Sequence, residues 1–238
     1  MRTFNFEQRS LEWYAARAGV VTASEIDALV SPLWKIRESK GVASYMMRKI
    51  AERWMGGSCP SFQSEAMEFG VQMEERAFEF YKLYYCPDLN RVGFITDDAG
   101  KIGCSPDGLI GDHAGLEIKC PNAETHVGYL LDGNIPPIYS AQIQFSLYVT
   151  RRNAWDFMSY RPGFPVFVKT VTPNPKAFAA FDELLPDFLA KLDEQFDKLA
   201  KLNGGLPDRN FFRDEIMAGG SAVIPTETMN AKDLDLIP

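Results

Sequence analysis

The spacing of apolar and polar positions along the 238-residue chain predicts alternating helices and short strands. Residues 6–18 read as a helix with Phe6, Leu11, Trp13, Tyr14 and Ala18 available for packing. Gly19 ends it, and Thr22 or Ser24 caps a second helix through Ile26 to Val30. Further helices are predicted over 42–54 and over 64–85, where Phe69, Met73, Ala77, Phe80 and Tyr84 recur at helical spacing. Two more cover 138–150 and 175–202. Short apolar runs predict strands at 91–96, 101–104, 109–110, 116–120, 153–160 and 166–171. Residues 121–134 read as a loop with a short helical piece. This order predicts a single α/β domain over residues 1–202, a mixed β-sheet flanked by helices. The Gly/Pro-rich, weakly periodic residues 203–238 read as a partly ordered C-terminal tail.

Chemistry concentrates in the strand pair of residues 103–120, GCSPDGLIGDHAGLEIKC. Two apolar runs flank the GDHAG loop, and pairing across it makes facing residue numbers sum to about 226. Asp107 then faces Lys119, with Glu117 diagonal to it. Leu116, Ile118 and Cys120 point to one side, Glu117 and Lys119 to the other. Two close carboxylates repel unless a cation separates them, and Mg²⁺ or Mn²⁺ is the natural filler. A lysine there polarises or deprotonates a metal-bound water, the equipment of phosphodiester hydrolysis. Pro-Asp also occurs at residues 87–88, 186–187 and 207–208, but only Pro106-Asp107 is followed by Glu-x-Lys within an apolar strand.

Other residues qualify as accessories. Glu74 lies on a mostly apolar flank of helix 64–85 and is a third acid, with Glu68, Glu75 and Glu79 as rivals. Gln142 and Gln144 are uncharged groups able to bond a phosphate or a water. Arg17 beside the Thr22/Ser24 cap makes a phosphate site at a helix start, although a plain capped start is the commoner meaning of such a motif. Arg48, Lys49 and Arg53 mark the polar side of helix 42–54, suited to a DNA backbone or simply to water.

Composition narrows the class. A hydrophobic share of 46% supports a substantial core. No run reaches the ~18 apolar residues of a membrane span, and the charged, aromatic start is no signal peptide. The four cysteines lack C-x-x-C spacing, so buried thiols in a reducing cytoplasm are expected. Two histidines are too few for a multi-histidine metal site, and His113 reads as a loop residue. No phosphate-binding G-x-x-x-x-G-K-[ST] loop exists. Net charge is −7, which argues against a nucleic-acid partner, yet residues 1–54 carry nine Lys/Arg against six Asp/Glu.

Six motifs occur in one order: Arg17-Ala-Gly-Val-Val-Thr-Ala-Ser-Glu25, Glu68-Phe-Gly-Val-Gln-Met-Glu74, Cys104-Ser-Pro-Asp-Gly-Leu109, Leu116-Glu-Ile-Lys-Cys-Pro121, Ala141-Gln-Ile-Gln144 and Val149-Thr-Arg-Arg-Asn-Ala-Trp155. In these the chain resembles the phage lambda exonuclease family, alkaline exonucleases of the YqaJ type within the PD-(D/E)xK nuclease superfamily. The resemblance spans about residues 11–202. It implies a restriction-endonuclease-like core and a Mg²⁺-dependent 5′→3′ exonuclease on linear double-stranded DNA. Such an enzyme releases 5′-mononucleotides by two-metal hydrolysis and leaves 3′ single-stranded tails for recombination by strand annealing. It further implies two Mg²⁺ ions (Mn²⁺ as substitute), a toroidal homotrimer and a single-strand annealing protein as partner. The implied setting is the cytoplasm of a bacterial host, with a phage or prophage origin and no membrane association.

Residue roles carry over from the resemblance. Asp107, Glu117 and the carbonyl of Ile118 bind metal, and Glu74 assists metal or water placement. Lys119 orients or activates the attacking water, and a lysine acting as base requires a lowered pKa. Gln144 touches the site at the scissile phosphate. Arg17, Ser24 and Ser105 hold the terminal 5′-phosphate, and Met67 is the wedge at the DNA end. The chain departs from the family after Val30, where Leu33-Trp34-Lys35 replaces an expected basic residue near Pro32 and Lys35 or Arg37 stands in. The tail is also longer.

Overall fold

The computed structural model describes residues 1–57 and 65–207; the side chains of residues 65–69 and 71 lie outside that description. Met1–Pro207 forms one compact unit, and the expected tail from residue 208 onward lies outside the described residues. Strands are β1 (Arg2–Phe4), β2 (Val21–Thr22), β3 (Leu89–Asn90), β4 (Phe94–Thr96), β5 (Ile102–Cys104), β6 (Gly108–Ile110), β7 (Ala114–Lys119), β8 (Ala154–Ser159) and β9 (Phe167–Val171). Helices are α1 (Leu11–Arg17), α2 (Lys40–Met55), α3 (Glu65–Tyr84), α4 (Ala123–Asp132), α5 (Pro137–Thr150) and α6 (Pro175–Leu202).

The α/β class is as expected, but there are two mixed sheets instead of one. A four-stranded sheet has the order β1-β4-β5-β2, and a five-stranded sheet has the order β3-β6-β7-β8-β9. β5 and β6 are nearly continuous in sequence and link the two. The extra sheet escaped the sequence reading because its outer strands are very short. β1 is only Arg-Thr-Phe and β2 only Val-Thr, too brief for an alternating pattern to show. Residues 23–28, expected as an α-helix, form a 3₁₀ turn, and residues 123–132 form a full helix with Asn122 as side-chain N-cap.

α6 buries Ala177, Ala180, Phe181, Leu184, Leu185, Phe188, Leu192 and Phe196, a single stripe at i, i+3, i+4 spacing. That stripe packs on Phe145 and Tyr148 of α5, Ile26 and Leu29 of the 3₁₀ turn, and Tyr45 and Ile50 of α2. On the far side of the larger sheet, Ala77, Phe78 and Tyr81 of α3 cover Leu116, Ile118 and Met158. Buried His126 is accounted for structurally, with its ring nitrogens 2.7 Å from Ser159 Oγ and 2.9 Å from the Pro165 carbonyl.

The central hairpin has a different register from the one expected. Gly108 pairs with Leu116, Leu109 with Gly115 and Ile110 with Ala114. Facing numbers therefore sum to 224, because Ala114 and Gly115 join the strand and the turn shrinks to Gly111-Asp112-His113. Gly111 takes a φ of 48° there. The continued register places Asp107 opposite Glu117, not Lys119.

Candidate active site

The shortened turn brings two acids together at the mouth of the hairpin. The Asp107 N–H donates to the Leu116 carbonyl at 3.1 Å, and the Ile118 N–H donates to Asp107 Oδ2 at 2.5 Å. Glu117, only 3% exposed, accepts at one oxygen from Lys119 Nζ at 2.6 Å and from Gln142 Nε2 at 2.6 Å. Leu116 and Ile118 pack on α3 as their alternation requires, so Glu117 and Lys119 face α5. Lys119 also lies 5.1 Å from the Tyr139 ring centre.

Electrostatics follow from this crowding. Burial, then Glu117, then Glu74 push the Asp107 carboxyl well above the usual carboxylate range. For Lys119, burial alone would lower the ammonium, but Glu117 and Asp107 outweigh it and hold it above its ordinary value. The two acids thus shift Lys119 in the direction opposite to the one a lysine base requires. Burial pushes the Cys104 and Cys120 thiols up to about 12, so neither offers a thiolate at neutral pH.

Two mutually repelling, partly buried carboxylates are the donor chemistry of a hard, oxygen-ligated cation, and these residues fit one. No three His, Cys, Asp or Glu side chains among the described residues gather closely enough to form a cage. A cation held there would need main-chain oxygen, as expected of Ile118, and water to complete its shell. Of the rival acids of α3 whose side chains are described, Glu74 is the one that acts on Asp107, and it pairs with Arg9 Nη2 at 2.6 Å. Glu75 pairs instead with Arg91 at 2.5 Å, and Glu79 is exposed. Glu68 and Met67 have side chains outside the described residues.

Gln144 is not at the site. Its Nε2 donates to the Thr172 carbonyl at 2.9 Å and its Oε1 accepts from the Asn174 N–H at 2.8 Å, so it secures the start of α6. Two positions apart on a helix, side chains diverge by about 200°, and Gln142 is the one that reaches Glu117.

Arg17, Ser24 and Ser105 do come together. Arg17 Nη1 donates to Ser105 Oγ at 2.9 Å and Nη2 to Ser24 Oγ at 3.2 Å. The guanidinium rests 4.2 Å from the Trp13 ring centre, and Trp13 Nε1 donates to Ser105 Oγ at 3.0 Å. Ser105 accepts both bonds and keeps its own proton to give. Only Pro106 separates this pocket from Asp107, and the Pro106 carbonyl is held by Gln8 Nε2 at 2.8 Å. Gln8, Arg9 and Trp13 were missed because nothing in their local sequence distinguishes them from an ordinary helix start. Lys35 is exposed, whereas Arg37 is bonded to the Val30 carbonyl at 3.1 Å.

Residues 12–153 match the YqaJ-like viral recombinase domain family. This chain belongs to that family. It is similar to the alkaline exonuclease LHK-Exo of Laribacter hongkongensis, with 30% identity, a TM-score of 0.71, and coverage of 81% of this chain and 97% of that one. LHK-Exo has also been crystallised with dAMP. ExoD of Escherichia coli K12 is 36% identical over 73 residues, which span 29% of this chain and 84% of ExoD. A phage-related exonuclease of Haemophilus somnus shares the fold at 11% identity and a TM-score of 0.57, covering 76% of this chain and 96% of that one. The family and its exonuclease structures place this chain among nucleases acting on DNA. No helix among the described residues is long and apolar enough to cross a membrane.

Proposed function

We propose that this family member is a Mg²⁺-dependent 5′→3′ exonuclease that enters linear duplex DNA at a 5′-phosphate. The observation that carries the reading is the closeness of its two parts. The Arg17–Ser24–Ser105 pocket and Asp107 are two residues apart through Ser105-Pro106-Asp107, a reach of at most about 7 Å. A terminal phosphate in the pocket leaves the next phosphodiester bond beside the acids, and cleavage there releases a 5′-mononucleotide. The dAMP bound by LHK-Exo is a molecule of that kind.

Asp107, Glu117, the Ile118 carbonyl and Glu74 would hold two Mg²⁺ ions, with Mn²⁺ able to replace them. Bound Mg²⁺ supplies Lewis acidity and lowers the pKa of water. The chain's own groups do the rest. Lys119 donates from its ammonium to orient the attacking water and offset charge on the phosphate. Gln142 fixes the Glu117 carboxylate, and Arg17 with the two serines sets the reading frame of the strand. The same reading includes a ring-shaped homotrimer around DNA and transfer of the 3′ tail to a single-strand annealing protein; sedimentation of the pure protein tests the first.

The deciding experiment compares linear duplex bearing a 5′-phosphate with a closed circle, each with Mg²⁺ or with chelator. Loss of linear DNA alone, only with Mg²⁺ and with mononucleotides released, is expected. Cutting of the closed circle would make the protein an endonuclease and end this reading.

A further inference from the structure

Lys49, on the polar side of α2, is not the solvated residue its sequence suggests. Lys49 is 2% exposed, and its ammonium lies 2.6 Å from Glu25 Oε2 and 2.8 Å from Glu52 Oε2. Stability alone does not call for such a cluster, since well-packed apolar side chains in place of all its members are often as stable, although removing one charge from it is costly. Its surroundings suggest another use. Glu52 Oε2 accepts the Gly19 N–H at 3.2 Å. Glu25 Oε2 accepts the Thr22 hydroxyl at 3.0 Å, and its other oxygen takes Arg48 at 3.0 Å. The two carboxylates therefore fasten the segment that runs from Arg17 to Ser24.

That segment is pressed against α2. Gly19 has a φ of +69°, and a Cβ there would meet Arg53 Cβ at 2.6 Å and the Lys49 carbonyl at 2.9 Å. Burial lowers the Arg17 guanidinium against the pull of Glu25 and Glu52, and only two hydroxyls stand between Arg17 and Glu25: Arg17 Nη2 to Ser24 Oγ at 3.2 Å, Ser24 Oγ to Thr22 Oγ1 at 3.5 Å, and Thr22 Oγ1 to Glu25 Oε2 at 3.0 Å. Yet its guanidinium bonds two neutral hydroxyls, Ser105 and Ser24, and lies over Trp13. A carboxylate so placed competes for an arginine, and Lys49 is the cation that both carboxylates hold instead.

We propose that Lys49 is a positioning residue for the 5′-phosphate pocket, neutralising Glu25 and Glu52 so that Arg17 stays directed at the incoming anion. The proposal rests on the 5′-phosphate reading above. Removing the lysine charge turns the carboxylates into competitors for Arg17, and the pocket loses its hold on the DNA end. Removing one carboxylate as well restores the balance.

The test measures kcat/KM on linear duplexes with 5′-phosphoryl and 5′-hydroxyl ends, for the wild type, Lys49→Gln and Lys49→Gln/Glu52→Gln, each checked by thermal melting. Gln at 52 keeps an oxygen for the Gly19 N–H. The wild type should prefer the phosphorylated end. Lys49→Gln should lose about tenfold or more of that preference, chiefly through KM, and the double variant should regain it. A folded Lys49→Gln with full preference overturns the proposal, as does a loss that the double variant fails to reverse. A wild type indifferent to the end group is a separate result: it removes the pocket reading itself, and this proposal with it.

Discussion

Gln142 and Gln144 sit one residue apart from a shared neighbour and have opposite surroundings. Replacing Gln142 by Ala frees Glu117 from one of its two donors, and kcat should fall about tenfold with little change in melting. Replacing Gln144 by Ala strands the Thr172 carbonyl and the Asn174 N–H and should cost about 1–3 kcal/mol in denaturant unfolding, with kcat near wild type. The residue pattern named both and the family resemblance chose Gln144, wrongly, because only the rotation of α5 against the two sheets decides which one reaches the acids. Asp107 gives a sharper case. Its carboxyl is raised in the fold, so its favourable contribution is full below the ordinary carboxylate pKa and is lost as pH rises through the raised value. Asp107→Asn should therefore abolish digestion and, melted with chelator present above neutral pH, raise the melting temperature. Lys119→Ala should also abolish digestion, leaving Gln142 as the donor to Glu117. Undiminished digestion by either variant would sink these roles.

The β6–β7 hairpin shows what patterning can and cannot supply. Its alternation sorted Leu116 and Ile118 from Glu117 and Lys119 correctly, since period 2 is a property of the strand itself. Its register came out two residues wrong in the facing sum, since that depends on where the turn begins. Part of the answer lies far along the chain. Arg152 Nη1 donates to the Gly111 and Ala114 carbonyls at 2.7 Å each and lies 3.4 Å from that of Ile110, while the Asn153 N–H bonds the His113 carbonyl at 2.9 Å. The start of β8 thus clamps the tip of the hairpin. Arg152→Ala should destabilise the protein by about 2–3 kcal/mol in urea unfolding, and should weaken metal-dependent digestion although Arg152 touches no acid of the site. An unchanged unfolding midpoint would show the clamp to be idle.

At the scale of the molecule, the long helices were legible because each carries enough turns for a stripe to emerge. The second sheet was not, because its strands β1 and β2 have no pattern apart from their partners β4 and β5. The pockets were partly legible: residue types announced Arg17 and Ser24, and the family resemblance added Ser105, while Lys49 of the buried Glu25–Lys49–Glu52 cluster read as part of an exposed polar face. That cluster also sets an acid limit. Burial would raise Glu25, but Lys49 and Arg48 outweigh it and hold it below its ordinary range. Its contribution is present above the unfolded value, near pH 4.3, and is lost as pH falls through the lower folded value. Melting temperature should drop across that acid window, and Glu25→Gln should flatten the drop while lowering stability at pH 7.

Pro106 stands between Ser105 and Asp107 with its φ locked by the ring and its carbonyl gripped by Gln8. If Ser105 holds the end of a strand and Asp107 marks the cut, this dipeptide is a gauge block: product length is cast into the backbone and owes nothing to base sequence. Inserting one glycine after Pro106 should then blur the uniform ladder of single nucleotides into mixed fragments, or stop cutting altogether, and sizing the products by electrophoresis reads the gauge directly.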